Sequence, residues 1–433
     1  MEALLEPLRE LAEIEEIQNE KKKEAGLIQI TGCVGSQKTH LTCALGSDCK
    51  YKLIVTSGES KAKQMYEEYR FLKETVYLYP AKDLLFYHAD LRGKQLVSSR
   101  METIQALLLG EGCTVITTFD AFMDSLLPIE TIRERIFSLK VGDIIDFEKV
   151  QKDLTLLGYE REVQIEGPGQ FAVRGGILDV YPLTEEVPVR IELWDDEIDS
   201  IRTFDVESQR SIENLEEITI YPASEFMDEK TKRVSFLDYF PREDTLLFLE
   251  EPARLIEQGE AVEAEFIESM KKRVETGCEV SDEEVKLFAP KEIASKMNQY
   301  PGIGLSILEG KRNLFHVKKS IHLQVKGVNP YNNSFETLTR DLARLKRSGY
   351  RVILLSGSRT RAKRLAEDLR DYSLSSFYSE EMDREVQPGE IMVAYGHVDE
   401  GYEYPLLKFI VISETDIFGK KKKKKKRKTY EGQ

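Results

Sequence analysis

Chemistry in this chain is first suggested by Gly32-Cys33-Val34-Gly35-Ser36-Gln37-Lys38-Thr39, which follows an apolar strand-like run and opens a helical pattern. The stretch falls one residue short of the G-x-x-x-x-G-K-[S/T] phosphate loop. In that loop the second glycine lets the backbone curl so that successive N–H groups face the phosphates with no side chain in the way. Gln37 stands in its place. It brings a polar branch into the cradle and disfavours a positive φ, so the sequence predicts a distorted loop although Lys38 and Thr39 are retained. Phosphoryl transfer also needs an acidic group at the end of a later strand to hold Mg²⁺. The fourth strand-like run ends Thr117-Thr118-Phe119-Asp120-Ala121-Phe122, without an adjacent acidic pair. Asp120 reads better as the N-cap of a helix over residues 121–126 than as a metal ligand. The expectation is a chain that hydrolyses no ATP and carries no cofactor, in which Gln37→Gly alone restores no turnover. The alternative is a divergent nucleotide-dependent DNA motor domain that works through Lys38 and Thr39 and tolerates Gln37.

No other chemistry is marked as clearly. Ser98-Ser99, Ser356-Gly357-Ser358 and Ser375-Ser376 sit in loop or helix-start contexts with no histidine nearby, so no nucleophile with a partnered base emerges. Cys33, Cys43, Cys49, Cys113 and Cys278 are odd in number and lack Cys-x-x-Cys spacing, which argues against a disulfide framework and a zinc site. The five histidines show no paired ligand spacing, so no metal is expected.

The elements that must position these residues follow from hydrophobic periodicity. Over residues 1–127, strand-like runs at 27–31, 52–56, 75–79 and 114–118 alternate with helical patterns at 38–45, 59–73 and 97–109, as in a parallel sheet with crossover helices. From 128 to 205 the period becomes strict alternation with turn punctuation, predicting an inserted antiparallel β-rich domain. There Gly175-Gly176 and Asp195-Asp196-Glu197 are the turns between strands 170–174 and 177–181 and between 189–194 and 200–204. Helical patterns return over 206–325, with strands at 245–249 and 304–307 that complete the first sheet from beyond the insertion. A small α/β domain is read over 326–419 and a basic linker over 420–433. The fold class is therefore α/β multidomain: a degenerate phosphate-loop, helicase-like parallel sheet, an inserted β-rich domain and a small α/β domain.

At 433 residues the chain is long enough for several cores. No apolar run is long enough for a membrane span, and the first residues read as an acidic amphipathic helix rather than an export signal, so a cytoplasmic location is expected. The net charge of −15 hides nine cations in residues 420–428, leaving about −24 elsewhere. Such a body disfavours general duplex binding, and any that occurs is expected to reside in that basic run and fall with salt.

Residues 169–182 (Gly-Gln-Phe-Ala-Val-Arg-Gly-Gly-Ile-Leu-Asp-Val-Tyr-Pro) and 188–200 (Pro-Val-Arg-Ile-Glu-Leu-Trp-Asp-Asp-Glu-Ile-Asp-Ser) carry a family resemblance. With residues 204–211 (Phe-Asp-Val-Glu-Ser-Gln-Arg-Ser), residues 414–419 (Glu-Thr-Asp-Ile-Phe-Gly), Pro80-Ala81-Lys82-Asp83 and the degraded loop, the chain resembles the N-terminal part of the bacterial transcription-repair coupling factors. The resemblance implies a module similar to the excision-repair protein UvrB, whose first domain has lost its ATPase motifs and whose inserted domain binds UvrA. It further implies that RNA polymerase, duplex DNA and an ATP- and Mg-dependent motor belong to later domains, as does a C-terminal autoinhibitory domain. The chain is expected to stop in the linker before them.

Alternation over residues 189–194 places Val189, Ile191 and Leu193 on one face and Arg190, Glu192 and Trp194 on the other. Arg174 falls on the polar side of its own strand with Ala172. A lone tryptophan beside arginines is the composition of a binding hot spot. The resemblance implies that Arg174, Arg190 and Trp194 form the UvrA-binding surface. The competing possibility is that Trp194 folds under a neighbouring domain while the arginines form internal salt bridges.

Overall fold

The computed structural model describes residues 1–72, 74–82, 91–225, 231–277, 286–310 and 314–420. Asp83, His88, Cys278 and the basic run from residue 421 onward lie outside them. The chain builds a seven-stranded parallel sheet interrupted by an inserted β domain and followed by a small α/β domain.

The first four strands are β1 (Gly26–Thr31), β2 (Tyr51–Thr56), β3 (Val76–Tyr79) and β4 (Cys113–Thr118), each beginning within one residue of its sequence expectation. Both faces of β2 and β4 are buried along their whole length, which is why neither reads as polar–apolar alternation.

The insertion contributes β5 (Phe137–Lys140), β6 (Glu160–Glu162), β7 (Gln170–Arg174), β8 (Ile177–Val180), β9 (Val189–Trp194), β10 (Glu197–Phe204), β11 (Ser211–Leu215) and β12 (Glu217–Ile220). Strands β6 to β11 form one sheet in the order β11-β10-β9-β8-β7-β6, antiparallel except for β6 against β7, while β12 pairs with β5. The antiparallel region thus continues past residue 205, where the sequence suggested that it ended. Strand β11 is an exposed edge with no apolar alternation to betray it. At the far end Val234 and Leu126 exchange backbone hydrogen bonds, each 2.7 Å, so the insertion's outgoing and returning chains are tied together.

Strands β13 (Thr245–Glu250), β14 (Pro301–Leu305) and β15 (Val317–His322) complete the parallel sheet in the order β15-β1-β14-β13-β2-β4-β3. Of these, β14 begins three residues before the expected 304–307 and overlaps it at Gly304 and Leu305, and β15, a lysine-rich edge strand, escaped the periodicity altogether. The small domain adds β16 (Lys326–Gly327), β17 (Arg351–Ser356), β18 (Ser376–Ser379), β19 (Ile391–Tyr395), β20 (Tyr402–Tyr404) and β21 (Phe409–Ser413), ordered β16-β20-β21-β17-β19-β18.

Burial explains how the parts are joined. One face of the parallel sheet packs on Phe119, Phe122, Phe236 and Leu255. The other, with Ile28, Ile30 and Ile303, shares one continuous core with Leu4, Leu8 and Ile17 of the N-terminal helices and with Ile353, Leu355 and Val411 of the small domain. The small domain is therefore packed against the parallel sheet rather than strung beside it. Among the described residues no helix is long and apolar enough to cross a membrane.

Candidate functional site

The loop after β1 keeps the shape of a phosphate cradle but not its openness. Gly32 and Gly35 take the positive φ angles, +84° and +47°. Gln37 does not: it opens the helix Gln37–Gly46, so the strain expected at that position is absent. What changes the loop is the Gln37 side chain. Its Oε1 accepts from Val34 N at 3.2 Å, and its Nε2 donates to the Tyr404 hydroxyl of β20 at 3.1 Å. Glu400, just before β20, donates its backbone N–H to Ser36 Oγ at 3.0 Å. A Cβ added at Gly35 would lie 2.5 Å from Glu400 Oε2. The small domain thus sets a carboxylate against Gly35, and a negative charge there would repel a phosphate entering the loop.

The retained motif residues are also turned inward. Lys38 is buried, with its Nζ 2.9 Å from Glu250 Oε1 and 3.0 Å from Glu251 Oε1. Burial disfavours the ammonium, but the two carboxylates more than offset it and hold its pKa above the ordinary lysine value. Thr39 Oγ1 donates to Glu68 Oε1 at 3.3 Å. Burial pushes the Glu68 carboxyl up to about 7. His40, fully buried, contacts the Tyr404 hydroxyl through Nδ1 and the Leu4 carbonyl through Nε2, and burial lowers it to about 4.

Two expectations about this site need correction. An acidic pair does end a later strand: Glu250 closes β13, Glu251 follows it, and only β14 separates that strand from β1. The signal is present in Thr245-Leu246-Leu247-Phe248-Leu249-Glu250-Glu251, an apolar run capped by two acids, but this strand is neither the fourth in the chain nor beside the loop in linear order, and only the sheet order sets it near β1. Asp120 is not an N-cap. It lies within a short 3₁₀ turn, Phe119–Phe122, whose N-cap is Thr118, and its carboxylate accepts from the Thr118 hydroxyl.

In the inserted sheet the pleat sorts the faces largely as the alternation predicted. Phe171, Val189 and Ile191 enter the domain core, and Leu193 packs partly buried against it. The hairpin turns are Gly175-Gly176, where only Gly175 has positive φ, and Asp195-Asp196, since Glu197 already belongs to β10. The opposite face is less open than expected. Ala172 and Phe204 are buried there with Ile165.

Arg190 is buried on that face at 8% exposure, correcting the expectation that it projects from the surface. Its Nε and Nη2 hold the two oxygens of buried Asp179 at 2.7 and 2.9 Å, Nη2 also donates to Gln209 Oε1 at 2.7 Å, and the guanidinium lies 4.2 Å from the Phe204 ring centre. Arg174 remains exposed, with one longer contact to Asp179 at 3.4 Å. Trp194, at 79% exposure, is covered by nothing among the described residues. Sequence reasoning passed over Arg202, which reaches Glu192 at 2.5 Å on the same face, and Ile144, which is 74% exposed beside Glu197. Register sets Ile144 in the same row as Trp194, through Glu197, and places Arg202 opposite Arg190, further along the sheet.

Residues 137–226 match the family model of the UvrB interaction domain. The chain is also similar to the transcription-repair-coupling factor of Bacillus subtilis (strain 168), 28% identical with 92% of this chain and 39% of that protein aligned. The coupling factor of Staphylococcus haemolyticus is 25% identical over 93% of this chain and 39% of its own length. That of Staphylococcus aureus (strain MRSA252) is 26% identical over 82% and 35%. The chain thus spans about 39% of the length of the leading curated relatives it matches. A strand-inserted parallel sheet with a UvrB-type interaction domain, similar along nearly its whole length to coupling factors, places this chain beside the transcription-repair-coupling factors.

Proposed function

We propose that this chain is the repair-recruiting module of a transcription-repair-coupling factor, which docks UvrA through the open end of its inserted sheet and hydrolyses no ATP itself. The observation that carries this reading is Trp194, 79% exposed at the end of β9 within the segment matching the UvrB interaction domain. Arg174 supplies an exposed planar cation on the same face, suited to a partner's carboxylate. Arg190 acts from beneath, clamping Asp179 and Phe204 so that the surface keeps its shape. RNA polymerase, duplex DNA and the ATP-driven motor engage other parts of the longer protein in this reading, and a C-terminal domain covers the docking face until it is released.

Titration of UvrA against the parent and three variants, with melting curves alongside, tests the proposal. Arg174→Ala and Trp194→Ala each weaken binding at least tenfold with melting unchanged, since losing an interface anchor costs about 2 kcal/mol. Arg190→Ala instead lowers the melting temperature, because Asp179 stays buried with only the longer Arg174 contact. Unchanged affinity in both folded surface variants removes the proposed docking face.

A second reading, a nucleotide-dependent DNA motor, is favoured by one observation: the Glu250-Glu251 pair beside Lys38. Against it stand the Gln37–Tyr404 bond and the Glu400 carboxylate over Gly35. ATP hydrolysis measured with and without DNA separates the two. Turnover that disappears in Lys38→Ala overturns the first.

A further inference from the structure

The hairpin end of the inserted sheet carries a feature that no single strand reveals. Glu197, the first residue of β10, is paired on one side with Trp194 of β9 and bridged on the other to Ile144. Residues directly opposite one another in antiparallel strands point to the same face. Trp194, Glu197 and Ile144 therefore stand in one row across three chain segments. With neighbouring segments about 5 Å apart, the two apolar side chains lie about 10 Å from each other with the carboxylate between them.

All three are exposed, Trp194 at 79% and Ile144 at 74%, and Glu197 has no ion-pair partner among the described residues. The backbone beneath is firmly set: Ile145 N donates to Asp196 O at 2.9 Å, Ile198 N to Asp143 O at 2.9 Å and Gly142 N to Ile198 O at 2.8 Å. A fixed backbone that holds two large apolar side chains in water gains nothing for folding from them. Such pairs mark sites that a partner desolvates.

We propose that Ile144, Glu197 and Trp194 form one contact row for UvrA, with two apolar anchors entering a paired apolar depression and the carboxylate meeting a basic side chain between them. This rests on the docking reading above and deepens it. Ile144 lies in the segment that matches the interaction-domain model, 50 residues upstream of Trp194, so its share in the row comes from register alone. The chemistry required of the partner is specific: a cation flanked by apolar surface, complementary to an acidic turn that also holds Asp195 and Asp196. Arg174 and Arg202 lie further along the sheet and address a different part of the partner.

The test is titration of UvrA against the parent chain, Ile144→Asp, Glu197→Lys and Glu197→Gln, with Trp194→Ala as the reference and Leu156→Asp as an exposed apolar control on the helix Phe147–Leu156. Melting curves accompany each. Ile144→Asp and Glu197→Lys each weaken binding at least tenfold without lowering the melting temperature, Glu197→Gln weakens it only a few-fold, and Leu156→Asp leaves it unchanged. If Trp194→Ala weakens binding while Ile144→Asp and Glu197→Lys do not, the row is wrong and the docking face stands. If Trp194→Ala is also without effect, the docking face itself has failed.

Discussion

The loop at residues 32–39 and the hairpin end of the inserted sheet invert each other. The loop has the residues of a reactive site, yet its side chains are spent on the protein: Gln37 on Tyr404, Lys38 on Glu250 and Glu251, Thr39 on Glu68. The hairpin end has no reactive residue, yet Trp194 and Ile144 are left facing water. A motif tells what a backbone can hold. Which groups remain unsatisfied in the fold tells what the surface still has to offer, and here the two criteria point to different domains.

The largest effect expected from breaking this contrast is at Lys38. If the loop serves as an internal joint, Lys38→Ala strands two carboxylates, Glu250 buried and Glu251 mostly so, and costs about 3–5 kcal/mol in denaturant unfolding. A loop still kept for nucleotide would instead show little loss of stability and a loss of protection by ATP.

Next comes Glu68. Its folded pKa of about 7 lies above the ordinary 4.5, so its contribution is fully present below pH 4.5 and is lost as pH rises to 7. Glu68→Gln removes that dependence. The variant should match the parent near pH 4.5 and exceed it by up to about 3 kcal/mol at pH 8, from the size of the shift. His40 works in the opposite sense: its pKa is depressed to about 4, so its contribution is present above 6.5 and lost as pH falls through 4. It does so in both proteins, so the difference between their stability–pH curves isolates Glu68. Parallel curves for parent and variant would show that Glu68 is solvated and that the joint is open.

The smallest effect is at Tyr404. Tyr404→Phe removes the hydroxyl that accepts from Gln37 and contacts His40, and should cost about 1–2 kcal/mol. No change would mean that the bonds from Gln37 and His40 to this hydroxyl add nothing to the hold of the small domain on the loop.

Much of this architecture was legible because buried parallel strands advertise themselves. Strands β2, β4 and β13 are buried on both faces, and β9 sets Val189, Ile191 and Leu193 against Arg190, Glu192 and Trp194, so both sheets could be read although β10 breaks its alternation at a register shift. Strands β11 and β15 were missed because exposed edges satisfy neither pattern. At the candidate sites the residue types were visible but their surroundings were not. Arg190 occupies a polar-face position, and Asp179, brought opposite by cross-strand pairing, together with Phe204 and Gln209 buries it. Glu250 and Glu251 lie more than 200 residues from Lys38, and only the strand order makes them neighbours. Periodicity reports the face a residue takes. It does not report what stands opposite.

The Leu126–Val234 bridge gives the insertion a mechanical character. Two reciprocal hydrogen bonds close the outgoing and returning chains into a neck, reinforced by the Tyr239 hydroxyl on the Leu127 carbonyl at 2.5 Å and Ser235 Oγ on the Phe122 carbonyl at 2.6 Å. A pull on a partner held at the hairpin end loads both legs of that neck together. The tension then passes into β4, which leads into the outgoing leg, and into β13, which follows the returning one, flanking β2 on either side. The insertion behaves as a bracket bolted at two points rather than as a tether, so a docked repair protein would follow the turning of the parallel sheet instead of trailing behind it.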